Sequence, residues 1–175
     1  VCETREGGIL ETKRPGFLGR AAIVPAILAA AGSGGAAAAN SRVRTAVVGT
    51  GGRGTHLLGL ALHRAQEKGD VEIVALCDVY QKRLDAARAL AKSKGHDPKT
   101  FTHHQDLLAQ RDIDAVIIAT PDHWHAPVTL LALEGGRDVY CEKPMTHTLE
   151  EARQVSEKVK SLNRVMQVGV QGTSW

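Results

Sequence analysis

Cysteine, aromatic residues and net charge are all scarce in this 175-residue sequence. The three cysteines, Cys2, Cys77 and Cys141, are too few and too scattered for a disulfide scaffold or a zinc ribbon. Aromatic residues make up 3%, so no stacking platform for single-stranded nucleic acid is visible. Formal net charge is only +3, which excludes a basic body that binds nucleic acid by neutralising phosphates. The longest apolar run, residues 21–31, has eleven residues, too few to span a bilayer as a helix. Hydrophobic residues at 43% and charged residues at 23% are ordinary globular values. They exclude a disordered tail or a collagen-like fibre, and the length suits one domain.

Residues 1–40 differ from the rest. Lys13, Arg14 and Arg20 precede the apolar run, and Gly32-Ser33-Gly34-Gly35 and Ala36 to Ala39 follow it. A basic segment, an apolar stretch and an Ala-x-Ala exit describe an export signal, so an exported, periplasmic protein is expected. Thr12-Lys13-Arg14-Pro15-Gly16-Phe17-Leu18 also resembles a twin-arginine signal. It departs from that pattern in Lys13, where the first Arg would stand, and in one extra residue before Phe17. A disordered Ala/Gly leader without a targeting role is the alternative. Residues 41–175 are then the folded domain.

From Val43 onward strand and helix signals alternate. Strands are expected at 43–48, 71–77, 113–119, 138–141 and 164–170, with a minor one at 100–102. Helices are expected at 53–65, 81–92, 106–110, 127–134 and 149–162. Thr148 and Glu151 have the spacing of a capping box at the last of these. Strands alternating with helices imply βαβ units with right-handed crossovers, hence an α/β, doubly wound parallel sheet of the Rossmann type.

Gly49-Thr50-Gly51-Gly52-Arg53-Gly54 fits G-x-G-x-x-G, and it follows a strand and opens a helix, the context that gives the pattern meaning. Gly49 permits the tight turn, Gly51 a close approach to a pyrophosphate, and Gly54 close packing of helix on strand. Gly52 and Arg53 complete the loop, whose N–H groups and helix dipole attract phosphates. Asp78 ends the second strand 24 residues past Gly54, near where an acid receives the adenosine ribose hydroxyls. Its charge would repel a 2′-phosphate, which favours NAD over NADP; Lys82 and Arg83 nearby temper that preference.

Two further motifs follow strands directly. These are Thr120-Pro121-Asp122-His123-Trp124-His125 and Glu142-Lys143-Pro144. Ligands of open α/β sheets bind beyond the carboxyl ends of the strands, so the glycine loop, Asp78, the histidine pair and Lys143 are expected to converge there. Thr120, Pro121, His123 and Glu142 join the loop as candidate cofactor-binding residues. For His123 and His125 local loop hydrogen bonds are the alternative. A metal site built on them lacks a third ligand with diagnostic spacing, and no metal is expected.

Together the glycine loop, Cys77-Asp78-Val79, Ala119 to His125 and Cys141-Glu142-Lys143-Pro144 resemble the Gfo/Idh/MocA family, over about residues 43 to 172. The resemblance implies a Rossmann domain holding NAD(P), a carbohydrate-like substrate and a homo-oligomer. It implies that Lys143 lies between nicotinamide and substrate as a catalytic residue, with His125 in the same cleft as a second catalytic candidate. It also implies a cis Lys143–Pro144 peptide. Family members continue into a second, substrate-binding α/β domain that supplies further catalytic groups. The 175 residues hold only the nucleotide-binding part of that plan, which is expected to bind cofactor but not to turn over alone. Hydride transfer to or from a sugar or polyol is the expected reaction of the whole enzyme. The rivals are an NAD-dependent glycosidase of the same family, a non-catalytic nucleotide-binding module, and a metal hydrolase built on His123 and His125.

Overall fold

The computed structural model describes residues 42–170. The leader expected over 1–40 lies outside them. The described elements run β1 (Val43–Val48), α1 (Gly52–Lys68), β2 (Val71–Cys77), α2 (Gln81–Ser93), β3 (Lys99–Phe101) and α3 (His104–Leu108). They continue through β4 (Ala115–Ile118), a 3-10 turn (Asp122–Trp124), α4 (His125–Glu134), β5 (Asp138–Glu142), α5 (Leu149–Ser161) and β6 (Met166–Gly169). The strands form one sheet in the order β3-β2-β1-β4-β5-β6, and every pairing is parallel. This is the doubly wound Rossmann arrangement that the alternation of elements predicts.

Both faces of the sheet are covered, which is why its strands read as near-continuous apolar runs. Successive side chains point to opposite faces. Val47 and Ile73 pack with Leu57, Leu58 and Leu62 of α1 and Leu84 of α2. Ala46, Val48, Val116 and Ile118 pack with Leu107 and Leu108 of α3 and Val128, Ala132 and Leu133 of α4 on the other. Helix α1 stops at Gly69, whose φ of 67° lets its N–H return to the Ala65 carbonyl.

Several boundaries shift from the sequence reading. Helix α4 begins at His125 rather than Pro127. Proline is tolerated in a first turn, because its missing N–H has no intrahelical partner there. Helix α3 begins two residues earlier than expected, at His104, which buries both Leu107 and Leu108. Strand β4 is shorter at both ends than the apolar run. Asp114 lies just before it and receives the Arg44 backbone N–H at 2.9 Å and its guanidinium at 3.0 and 2.8 Å, tying β1 to the entry of β4.

Candidate functional site

Strand order reverses between β1 and β4, and a crevice forms beyond their carboxyl ends. Gly49 sits at that point with φ +89°. A Cβ there would stand 2.6 Å from the Ala119 carbonyl oxygen, so only glycine fits between the two strand ends. Gly54 is tighter still, since its Cβ would fall 1.8 Å from the Gly49 oxygen. These two residues bring the first turn of α1 down onto β1. At Gly51 and Gly52 the surroundings are open. The nearest group is Arg83 Nη1, 3.6 Å from a Cβ on Gly51, and nothing lies within 4 Å at Gly52. No side chain caps α1, and its first turn carries no acidic residue. The structure therefore presents unscreened helix N–H groups beside open space, a cradle that suits a pyrophosphate.

Asp78 fastens the loop from beneath. Its Oδ2 accepts the Thr50 N–H at 2.7 Å and the Thr50 hydroxyl at 3.0 Å, while Oδ1 accepts the Tyr80 N–H at 2.8 Å. A carboxylate has about four lone-pair sites, so three are engaged and roughly one remains for a ribose hydroxyl. Arg83, stacked 5.5 Å from the Tyr80 ring centroid, brings a cation to this end of the loop.

The other half of the site is a cleft of about 420 Å³ lined by Arg53, Ala119, Thr120, Asp122, His125, Glu142, Lys143 and Pro144. Five expected site residues thus share one lining: Arg53, Thr120, His125, Glu142 and Lys143. Pro121 and His123 are not part of it. His123 is exposed, with Nδ1 3.8 Å from Asp122 Oδ1. Asp122, in the same loop but not expected in the site, does line the cleft. It accepts from His147 Nε2 at 3.1 Å, and that hydrogen bond holds its carboxyl below the usual range. The Thr120 hydroxyl is buried beside the cleft with no hydrogen-bond partner among the described residues, an acceptor-donor left for a ligand. Among the described residues, no group of three or more His, Cys, Asp or Glu converges to hold a metal ion.

The Lys143–Pro144 peptide is cis, as the family resemblance implies. Glu142 lies behind it, 4% exposed. Its Oε1 accepts Arg53 Nε at 2.7 Å and the Tyr140 hydroxyl at 3.1 Å, and its Oε2 lies 3.3 Å from the Lys143 backbone N–H. Its carboxylate is therefore directed at the protein, although it borders the cleft.

His125, for which the family resemblance implies a catalytic role, borders the cleft with its ring 1% exposed. Nδ1 faces the Pro144 carbonyl at 2.6 Å and Nε2 the Thr120 carbonyl at 3.0 Å. Whichever nitrogen carries the proton donates to a backbone oxygen, so the ring braces two loops at the edge of the cleft. Periodicity and spacing do not reveal such a brace, because its two partners come from different strand ends.

A doubly wound parallel sheet with an uncapped glycine loop at its switch point defines a dinucleotide-binding α/β domain. A family described as an oxidoreductase family with an NAD-binding Rossmann fold matches residues 43–170. The chain belongs to this family, Gfo/Idh/MocA, and NAD is its cofactor. A glycosyl hydrolase family 109 protein of Shewanella sp. (strain W3-18-1) is 36% identical over 118 residues, covering 65% of this chain and 25% of the relative. The WlbA dehydrogenase of Bordetella pertussis, solved with NADH and UDP-GlcNAcA, superposes with a TM-score of 0.65 at 27% identity. That match covers 76% of this chain and 37% of WlbA. Scyllo-inositol dehydrogenase of Lactobacillus casei, solved with NAD(H) and scyllo-inositol, has a TM-score of 0.64 at 25% identity, over 73% and 36% of the two chains. The chain spans about a quarter of the length of the curated relatives it matches.

Proposed function

We propose that this chain is the nucleotide-binding part of an NAD-dependent oxidoreductase acting on a sugar or polyol hydroxyl. The observation that carries the reading is the lining of one cleft by Lys143 and Thr120 beside the glycine loop. Gly49 to Gly54 would hold the pyrophosphate and Asp78 the adenosine ribose. Bound NAD supplies the acceptor for the hydride leaving the substrate carbon. Lys143 Nζ takes the proton of the reacting hydroxyl, so that C–H and O–H break as the carbonyl forms. Thr120 Oγ1 offers a hydrogen bond within the same cleft, and His125 keeps the Thr120 and Pro144 backbones at fixed separation. The whole protein is proposed to act as a homo-oligomer on a carbohydrate-like substrate.

A second reading has a specific observation behind it, since the relative from Shewanella bears the name of a glycosyl hydrolase. A glycosidase of this kind oxidises the sugar transiently, eliminates the aglycone, adds water across the resulting double bond and returns the hydride to the carbonyl carbon. The same residues serve both reactions; only the balance of NADH differs.

The test uses the full-length protein and its Lys143→Met variant. NAD should stabilise both against urea, by about 2.7 kcal/mol at a concentration of 100 Kd. With active substrates, kcat should fall by about 10²–10⁴-fold in the variant, the usual loss for an acid–base group. Net NADH production marks the dehydrogenase, and glycoside cleavage without it marks the second reading. Normal turnover in Lys143→Met with NAD bound would reduce Lys143 to scaffold.

A further inference from the structure

Three elements meet at one buried carboxylate. Glu142 ends β5, Arg53 comes from the first turn of α1, and Gly169 from β6 lies over Glu142 and Tyr140. The carboxylate accepts from Arg53 Nε at 2.7 Å and from the Tyr140 hydroxyl at 3.1 Å through one oxygen. Through the other it faces the Lys143 backbone N–H at 3.3 Å. Space for this is made by Gly169, where a Cβ would stand 2.5 Å from Tyr140 Oη and 2.7 Å from Glu142 Oε1. Burial, followed by the Glu142 charge, pushes the Tyr140 phenol up to about 12, so at neutral pH it remains a donor to that carboxylate.

We propose that Glu142 and Arg53 are positioning residues for Lys143, an ion pair between a buried carboxylate and a half-exposed guanidinium that keeps the Lys143 turn in register with the glycine loop. The inference rests on the reading of Lys143 as the proton-transfer group. Arg53 lies within the glycine loop, and Lys143 follows Glu142. The pair therefore joins the loop that would seat the dinucleotide to the residue that would act on the substrate, across 89 positions of sequence. A buried charge that loses its partner is strongly unfavourable, because neither water nor protein then compensates it. Without the Arg53 guanidinium, Glu142 keeps the Tyr140 hydroxyl and Lys143 N–H as donors but loses its cation, which favours proton uptake or entry of water, and either change alters its contact with the Lys143 N–H. Lysine at position 53 would restore charge but not the planar fork that presents Nε to Oε1.

The experiment uses the full-length protein with Glu142→Gln, Arg53→Met, Arg53→Lys and the combined Arg53→Met/Glu142→Gln variant, with Lys143→Met as reference. Two quantities are read: kcat and KM, and the pH profile of Lys143 acetylation by acetic anhydride, measured by mass spectrometry against the other lysines. Glu142→Gln should lower kcat by about 10²-fold with KM nearly unchanged, the effect of misplacing a reacting group by about 1 Å. Its Lys143 labelling profile should move along the pH axis, and Arg53→Lys should recover only part of the parent profile. Parent kcat and labelling profile in Glu142→Gln would overturn the proposal. So would a loss of kcat that only follows a loss of folded protein. If Glu142→Gln does not fold, the combined variant, which buries no lone charge, gives the same two readouts with the same criteria. Should Lys143→Met keep normal kcat, the functional reading fails, while the labelling profile still decides whether the pair positions Lys143.

Discussion

Asp78 shows how much one side chain carries. The sequence places it at a strand end for a ribose, and the fold gives it Thr50 and Tyr80 to hold first. Asp78→Ala would strand the buried Thr50 N–H and hydroxyl, at a cost of about 1–3 kcal/mol for buried donors left unsatisfied. Urea unfolding of the parent and variant should show that loss. The same variant should narrow the gap between NAD and NADP affinity, by removing repulsion of the 2′-phosphate. A variant as stable as the parent would show that the three hydrogen bonds contribute nothing measurable. The two described cysteines are simpler. Cys77 and Cys141 are buried, and burial, followed in effect by neighbouring Asp78 and Glu142 respectively, pushes each thiol up to about 12. Few thiolates form at neutral pH, which keeps both thiols weakly nucleophilic. Residue type and spacing were enough to put Gly49, Gly54, Asp78 and Lys143 at strand ends. They did not reveal the brace made by His125, whose partners are backbone carbonyls five and nineteen positions away.

Among the elements, α5 is the one whose start was most fully written in the sequence. Thr148 Oγ1 accepts the Glu151 N–H at 3.1 Å, and Glu151 Oε2 accepts the Thr148 N–H at 3.1 Å and the His147 N–H at 2.8 Å. Glu150 and Glu151 in its first turn, with Lys158 and Lys160 in its last, complement the helix dipole. The backbone hydrogen bond from His147, then that from Thr148, holds the Glu151 carboxyl below its usual value. Because the folded pKa is depressed, the stabilisation is complete above the unfolded value, near 4.3, and is lost as pH falls through the folded one. The His147 and Thr148 amide resonances should therefore move together below about pH 4, with faster hydrogen exchange at both. The same movement in Glu151→Gln would mean that another group drives it. Helices α1 and α2 also start within one residue of where their apolar spacing puts them, whereas α3 starts two residues early, at His104.

At the scale of the whole molecule, the sheet order turns scattered motifs into a site. Strands β1, β4 and β5 are neighbours, so the loops after them face one another although they lie some ninety positions apart in the chain. We propose that residues 1–40 direct export of this folded domain, because basic, apolar and Ala-x-Ala segments follow in that order. Mass spectrometry of the protein recovered from the producing cell should then show a mature chain beginning near residue 40, outside the cytoplasm. A cytoplasmic chain that retains Phe17 to Ala31 would end that reading.

Local order was settled by the sequence alone. Apolar runs of four to seven residues, helical spacing, the glycine loop and the Thr148 cap each act within a few residues, and propensity and capping need nothing more distant. From those alone came the alternation of strand and helix, the cofactor class and the residues at each strand end. Only the tertiary structure decided which of these residues touch. The pairing of Arg53 with Glu142, the seat of Gly169 over Tyr140, and the brace of His125 between Thr120 and Pro144 join different strand ends. Such contacts arise when side chains from distant segments are buried together, where an unmatched charge or donor is costly and each must find its partner.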